Sequence, residues 1–593
     1  MPISPRRALA SLISPLALAA LAALTACGEA LPPAPPPVAT IPVYPGPPAP
    51  HVAAGSAAPG TPAAAFAALR DRILDDWLRD DPSFGRELGL HEYDGKLGDH
   101  SAQAIQARLD RLAKDRALLA AIDDKALSPD DALDLGLLRR QIDLTLFQEG
   151  ELESWRRFPH YYRDIFDVDA YLVRDYAPLE ERAQKLLLQE KAALREAPHI
   201  QKNLKSPLAR SIAATGVKIY KGYAEYFRGD VLTLTKGVGD QAFQDDLKKT
   251  SLALADEALK IASFLEAEAK KGDDSHVLGK ARFEKLLAVQ EGLQTPLPEL
   301  LATGEKDLAE NKKRYEALVK KVKVTKPKPA SLFAEATKVM NAARAFIVDK
   351  KLVTIPTDDQ AVAKETPPFM RWNAAFLNPP GNFEQKAKTA FYYITLPDPT
   401  WKKKEQEEYV MSYGSLLSTT VHEVYPGHFL QGQWERRAPT RVQKMFGAYS
   451  FIEGWAHYVE QMIVDEGFGA DDPQSRLGQL SDALLRDCRF VVAIGVHAQG
   501  MSLAAAEKRF VTDCKQDKAT AREQAARAAF DPGFFAYTLG KLQILALREE
   551  AKLALGDKFS LQRFHDALLS HGSPPVALIK DRVLADLKAS AGK

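Results

Sequence analysis

This chain lacks an excess of charge of either sign. Its 79 Lys and Arg stand against 78 Asp and Glu, a formal net charge of +1 over 593 residues. That balance disfavours a nucleic-acid partner, because phosphate backbones are held by clustered cations. The most basic stretch, Lys320-Lys321-Val322-Lys323-Val324-Thr325-Lys326-Pro327-Lys328, is short. It reads as a solvated helix end and loop. Cysteine is scarce as well: Cys27, Cys488 and Cys514 are the three. A disulfide between the last two and a pair of free buried thiols both stay open at this level. Beyond the N-terminus no apolar run is long enough to cross a bilayer. Repeats of fixed period are absent too.

What is present begins with a leader. Arg6 and Arg7 precede an apolar run from Leu12 to Leu24, too short to span a membrane stably. The run ends Leu24-Thr25-Ala26-Cys27, which resembles the bacterial lipobox. The resemblance implies a lipoprotein signal peptide over residues 1–27, with Cys27 lipidated as the first residue of the mature protein. An ordinary signal peptide cut near Ala26 is the plainer alternative. Gly28 rather than Asp after the cysteine is compatible with transfer to the outer membrane. The expected location is therefore the cell envelope, lipid-anchored, on the periplasmic side or at the outer-membrane surface. Residues 28–62 are rich in Pro and Ala and read as a semi-extended linker. Residues 63–593 form the remaining domain, open to division into lobes 63–323 and 324–593.

That domain is mainly helical by pattern. Phe66, Leu69, Ile73 and Trp77 recur at helical spacing. Further helical patterns run near 102–124, 129–149, 178–198, 207–228, 240–271, 276–291 and 296–322. Trp155, Phe158, Tyr161, Tyr162, Phe166 and Tyr171 cluster in a short span, as core or as one wall of a substrate channel. Val353-Thr354-Ile355-Pro356 and Phe391-Tyr392-Tyr393-Ile394-Thr395-Leu396 are β-branched and aromatic, with a Pro379-Pro380-Gly381 turn between them. They predict a small antiparallel sheet. Its edge either pairs with a bound peptide or is purely structural.

The chemistry is concentrated in His422-Glu423-Val424-Tyr425-Pro426-Gly427-His428, followed by Glu453-Gly454-Trp455. Two His and two Glu are the ligand and base set of a zinc hydrolase. The second His follows six residues after the first, and six residues of unbroken helix turn through about 600°. Pro426 and Gly427 interrupt that helix, and a kink there would swing His428 back. In the next helical pattern Glu453, His457 and Glu460 flank the apolar face, and buried carboxylates need partners. A metal suits Glu453. His457 and Glu460 suit the hydrogen bonds that orient ligands, though His457 also rivals His428 as a ligand. His91, His160 and His565 carry no motif and read as structural or surface groups.

HEVYPGHFLQ with EGWAHYVEQ resembles the bacterial domain-of-unknown-function 885 family, whose pattern runs H-E-x-x-P-G-H-x-x-Q and then E-G-W. That family is similar to gluzincin peptidases such as carboxypeptidase Taq and the oligopeptidases. The resemblance implies a large helical, two-lobed, metallopeptidase-like fold around a deep cleft. It implies Zn2+ on His422, His428 and Glu453, with Glu423 as the catalytic base. Tyr537, Gly540, Lys541, Leu547 and Arg548 match the family's later Y-x-x-G-K and L-R. Tyr537 or His497 is the candidate donor to the developing oxyanion. Arg489, Lys541 or Arg548 is the candidate for holding a substrate carboxylate. The implied function is zinc-dependent hydrolysis of short peptides, by a carboxypeptidase or dipeptidase. The alternative is a non-catalytic, lipid-anchored lipoprotein that binds a metal or a peptide. Oligomeric state is open.

Overall fold

A computed structural model describes residues 61–591. The leader, Cys27 and the linker up to residue 60 lie outside the described residues. The described residues belong to one unit.

Helices dominate, and their starts follow from capping. Ser128 Oγ accepts from the Asp131 amide ahead of Pro129–Thr145, with proline at the first helical position. Ser412 Oγ accepts from the Ser415 amide in the same way and opens Tyr413–Glu423. The long N-terminal patterns appear as Ala102–Ala120, Leu179–Asn203, Arg210–Arg228, Gln241–Lys271, Lys280–Glu291 and Leu297–Val319. Among the clustered aromatics Trp155, Tyr162, Phe166 and Tyr171 are buried with Tyr220, Tyr223 and Phe227 in one apolar cluster, so they are core. Tyr161 differs. It lines a cavity of about 540 Å³ together with Asp81, Arg108 and Asp164.

The sheet departs from expectation. Its three strands are β1 (Ala361–Glu365), β2 (Ala375–Asn378) and β3 (Ala390–Ile394), in the order β1-β3-β2. β2 pairs antiparallel with β3, but β1 pairs parallel with it, so the sheet is mixed. Val353-Thr354-Ile355-Pro356 is not a strand. Asp566 takes the Thr354 amide at 2.9 Å and its hydroxyl at 2.6 Å, leaving no ladder partner for that amide. β3 is buried along its whole length. It meets the Tyr413–Glu423 helix where Thr420 Oγ1 lies 3.4 Å from the Tyr392 hydroxyl.

Four helices position the site. Tyr413–Glu423 packs on Pro473–Ala498, and Tyr449–Asp465 packs on Ala536–Leu555. Both crossings are made by glycine against backbone. A Cβ on Gly454 would run into the Gly540 backbone, and a Cβ on Gly478 into that of Gly414. The helix carrying Glu453 spans Tyr449–Asp465 and is separate from the short helix Arg441–Met445 before it. In the gap the Ala448 amide donates to the Ser573 carbonyl at 2.6 Å instead of continuing a helix. Cys488 and Cys514 form a disulfide with Cα atoms 6.2 Å apart, which decides the question the sequence left open. No helix among the described residues is long and apolar enough to cross a membrane.

Candidate metal centre

The first helix of the motif stops at Glu423, because Val424 leaves the helical region. Pro426 has no amide hydrogen to offer. The Gly427 amide donates back to the Val421 carbonyl at 3.0 Å, and a second helix starts at His428. Gly427 sits against the Val421 and His422 carbonyls, where a Cβ would overlap both. Only glycine makes that turn. Trp455 Nε1 donates to the Pro426 carbonyl at 2.9 Å and fastens the turn to the helix carrying Glu453. The interrupted spacing therefore brings the two imidazoles together, edge to face, with centroids 4.7 Å apart.

Glu453 Oε2 completes the group. It lies 3.3 Å from His422 Nε2 and 3.4 Å from His428 Nε2. Ligands about 2.0–2.1 Å from a tetrahedral zinc stand roughly 3.3–3.4 Å from one another. The same Glu453 oxygen is sealed from solvent and has no conventional hydrogen-bond partner. Two histidines and a glutamate are also the donor set of open, catalytic zinc sites. The residues thus fit such an ion on separation, burial and chemistry.

The surroundings orient the ligands. Glu460, fully buried, takes His422 Nδ1 at 2.6 Å, Arg486 Nη2 at 2.9 Å and His457 Nδ1 at 3.2 Å. That places the His422 proton on Nδ1 and leaves Nε2 free to coordinate. His428 Nδ1 faces Gln431 Oε1 at 3.4 Å, and Gln431 donates on to Ser573 Oγ at 2.8 Å. Burial and nearby Arg486 push the His422 imidazole down. The neighbouring Glu453 and Glu460 carboxylates outweigh them and raise it to about 9. Burial opposes ionisation of Glu453, yet the two histidines hold its carboxyl well below the usual range. Burial, joined by the Lys541 charge, pushes His457 down to about 4. His457 does not join the ligand group, so the rivalry with His428 resolves in favour of His428.

Other expected residues divide. Glu423 is 6% exposed beside His422, and no described side chain donates to its carboxylate. Tyr537 stacks on the His422 ring with centroids 6.4 Å apart, and its hydroxyl accepts from Arg527 Nη2 at 3.1 Å. Arg489 lies over the Tyr537 ring at 4.5 Å. Three residues fall away from the centre. His497 Nε2 donates to the Ala528 carbonyl at 2.7 Å, and its ring stacks on Phe283. Eleven residues of helix, about 16 Å, separate it from Arg486. Arg548 stands the same distance along its helix from Tyr537 and contacts the Tyr458 hydroxyl at 3.2 Å. Lys541 is buried and paired with Asp307 at 2.5 Å, so its charge is already answered inside the protein. Arg486, Arg527, Tyr449 and Gln431 were not singled out from sequence. Only the Gln of H-x-x-Q carried a signal.

The large cavity beside Tyr161 is lined by none of the metal group. A second collection of candidate ligands, Asp99, Glu196 and His199, is more exposed, and Glu196 already accepts from the His100 amide at 2.9 Å.

No curated protein matches the chain significantly. Solved structures do. A protein from Shewanella oneidensis, described as a lipoprotein of unknown function, is 23% identical with a TM-score of 0.69, covering 88% of this chain and 99% of its own. One from Colwellia psychrerythraea, also described as a lipoprotein, is 18% identical with a TM-score of 0.72, covering 89% and 100%. These likenesses establish the fold. The profile of the bacterial proteins of unknown function DUF885 matches residues 82–583, and the chain belongs to that family.

Proposed function

We propose that this protein is a zinc-dependent hydrolase of peptide bonds in short peptides, a carboxypeptidase or dipeptidase. The observation that carries the reading is the convergence of His422, His428 and Glu453, with Glu453 Oε2 at tetrahedral ligand separation from both imidazoles, next to an unpartnered Glu423. When bound, zinc supplies Lewis acidity, which polarises a carbonyl and makes a water acidic enough to react near neutral pH.

The chain's own groups do the rest. His422, His428 and Glu453 hold the ion, and Glu460 keeps the His422 proton on Nδ1. Glu423 takes the proton of the attacking water and passes it to the leaving amine. Burial raises the Tyr537 hydroxyl above its ordinary range, so it stays protonated. It can then donate to the carbonyl oxygen as negative charge gathers there. The reading includes a metallopeptidase-like, two-lobed arrangement around a cleft that admits short peptides. It also includes a lipid anchor at Cys27 and a place in the cell envelope. The two lipoprotein descriptions among the similar structures support that location.

Glu423→Gln tests the reading. Metal content should stay at the wild-type level while peptide hydrolysis falls by about 10²–10⁴-fold, the usual contribution of a general base. A fully active variant removes Glu423 from the mechanism. A wild-type protein that binds zinc but cuts no peptide leaves the binding lipoprotein in its place.

A further inference from the structure

Arg489 is a buried cation without a counter-ion. It is 8% exposed, and no described carboxylate lies within ion-pair distance of it. Its one hydrogen bond runs from Nε to Gln524 Oε1 at 2.9 Å. The two terminal nitrogens have no described partner, yet neither is sealed from solvent. They therefore keep contact with solvent while lacking a protein acceptor. An arginine stays charged in such a place, and an unanswered buried charge is costly.

A second guanidinium stands beside it. Arg489 and Arg527 each lie 5.0 Å from the centre of the Phe534 ring. Arg527 has one carboxylate, Asp531 at 3.1 Å, and hydrogen-bonds the Tyr449 and Tyr537 hydroxyls at 3.0 and 3.1 Å. Arg486, the third nearby arginine, is engaged by Glu460. Two cations thus share one counter-ion, and a place for one more anion remains. Guanidinium forks match a carboxylate by two parallel hydrogen bonds.

That place is close to the metal group. The Tyr537 ring lies 6.4 Å from the His422 ring and 4.5 Å from the Arg489 guanidinium. An extended chain advances about 3.3–3.6 Å per residue. Allowing for the contact at each end, one or two residues bridge the gap.

We propose that Arg489, flanked by Arg527, is the subsite for the free C-terminal carboxylate of a peptide substrate, so that cleavage releases one or two residues from the C-terminus. The proposal rests on the hydrolase reading above and narrows it to an exopeptidase acting from that end.

The test compares one peptide as its free acid and as its C-terminal amide, on the zinc-loaded full chain. The acid should lose one or two C-terminal residues, with a kcat/KM at least tenfold above the amide, mostly through KM. Arg489→Gln should remove that preference, so that acid and amide are cleaved with the same kcat/KM. Arg489→Lys should restore part of it. Equal cleavage of acid and amide, or cuts near the N-terminus or in the middle, would overturn the subsite. Binding to zinc-loaded Glu423→Gln separates this from the hydrolase reading. If that variant binds the acid tenfold more tightly than the amide, and Arg489→Gln in the same background abolishes the difference, the subsite stands even where no peptide is cut. Equal binding of acid and amide rejects it.

Discussion

Glu460 is not one of the three candidate ligands, yet three groups converge on it: His422, His457 and Arg486. Its carboxylate holds the His422 ring in the tautomer and rotation that aim Nε2 at Glu453. Burial opposes its charge, but Arg486 and the two histidines hold the carboxyl well below the ordinary range. Glu460→Gln keeps the size and removes the charge. Zinc affinity should fall by about 10–100-fold, the usual cost of losing a partner behind a ligating histidine. Competition against a chelator of known affinity reads this directly. His457→Gln gives the contrast, since His457 reaches the ligands only through Glu460 and its loss should cost less. Unchanged affinity in Glu460→Gln would mean that Arg486 or packing alone orients His422. At this scale the sequence was readable where a motif fixed both residue type and spacing. The motif singled out His422, Glu423, His428 and Glu453, with His457 left as a rival to His428, and the structure brings His422, His428 and Glu453 together. Lys541 was misread because its partner, Asp307, lies on a distant helix that no local pattern connects to it. Arg486 went unnoticed for the same reason, since its partner Glu460 lies on another helix.

Between elements, the decisive contacts are backbone on backbone. The Glu453 helix and the Tyr537 helix cross with Gly454 against Gly540. This brings the Glu453 carboxylate and the Tyr537 phenol into one region, with no side chain at the crossing itself. Gly454→Ala puts a methyl into the Gly540 backbone, where no rotamer can yield. Overpacking of that kind costs about 1–3 kcal/mol, and here it also moves Glu453 relative to Tyr537. Denaturant unfolding should show that loss, and zinc affinity should drop in the same variant. Native stability with native affinity would show that the crossing can widen freely. Helix positions were legible because a 3.6-residue period and caps such as Ser128-Pro129 are local signals. The sheet was only half legible. The β2–β3 turn is marked by Pro379-Pro380-Gly381, but the parallel partner of β3 comes from before β2, and parallel pairing leaves no turn signature. The loss of the expected strand at 353–356 to Asp566 is equally non-local.

Across the whole molecule, one ionic tie joins the N-terminal helices to the polypeptide between β2 and β3. His91 lies 3.2 Å from Asp94 by Nδ1 and 2.8 Å from Glu384 by Nε2, and its ring stacks on Tyr176 at 3.6 Å. Burial alone would lower this imidazole, but hydrogen bonds to Asp94 and Glu384 raise it to about 9 from 6.5. Burial likewise opposes the Glu384 charge, and the bond to His91 with two backbone amides brings it down to about 2 from 4.5. A raised histidine stabilises the fold fully below its unfolded value and loses that contribution as pH rises through its folded value. The depressed carboxyl does the reverse, contributing above 4.5 and failing as pH falls through 2. The two shifts describe one interaction, so the tie is complete from about pH 4.5 to 6.5 and weakens from there to about 9. The melting temperature should therefore decline across pH 6.5–9. Glu384→Gln should lower it at pH 6 and flatten that decline, because Asp94 alone then holds the imidazole. His91→Gln should flatten it further. A decline of the same steepness in wild type and both variants would assign the alkaline loss of stability to other groups and leave this tie without thermodynamic weight.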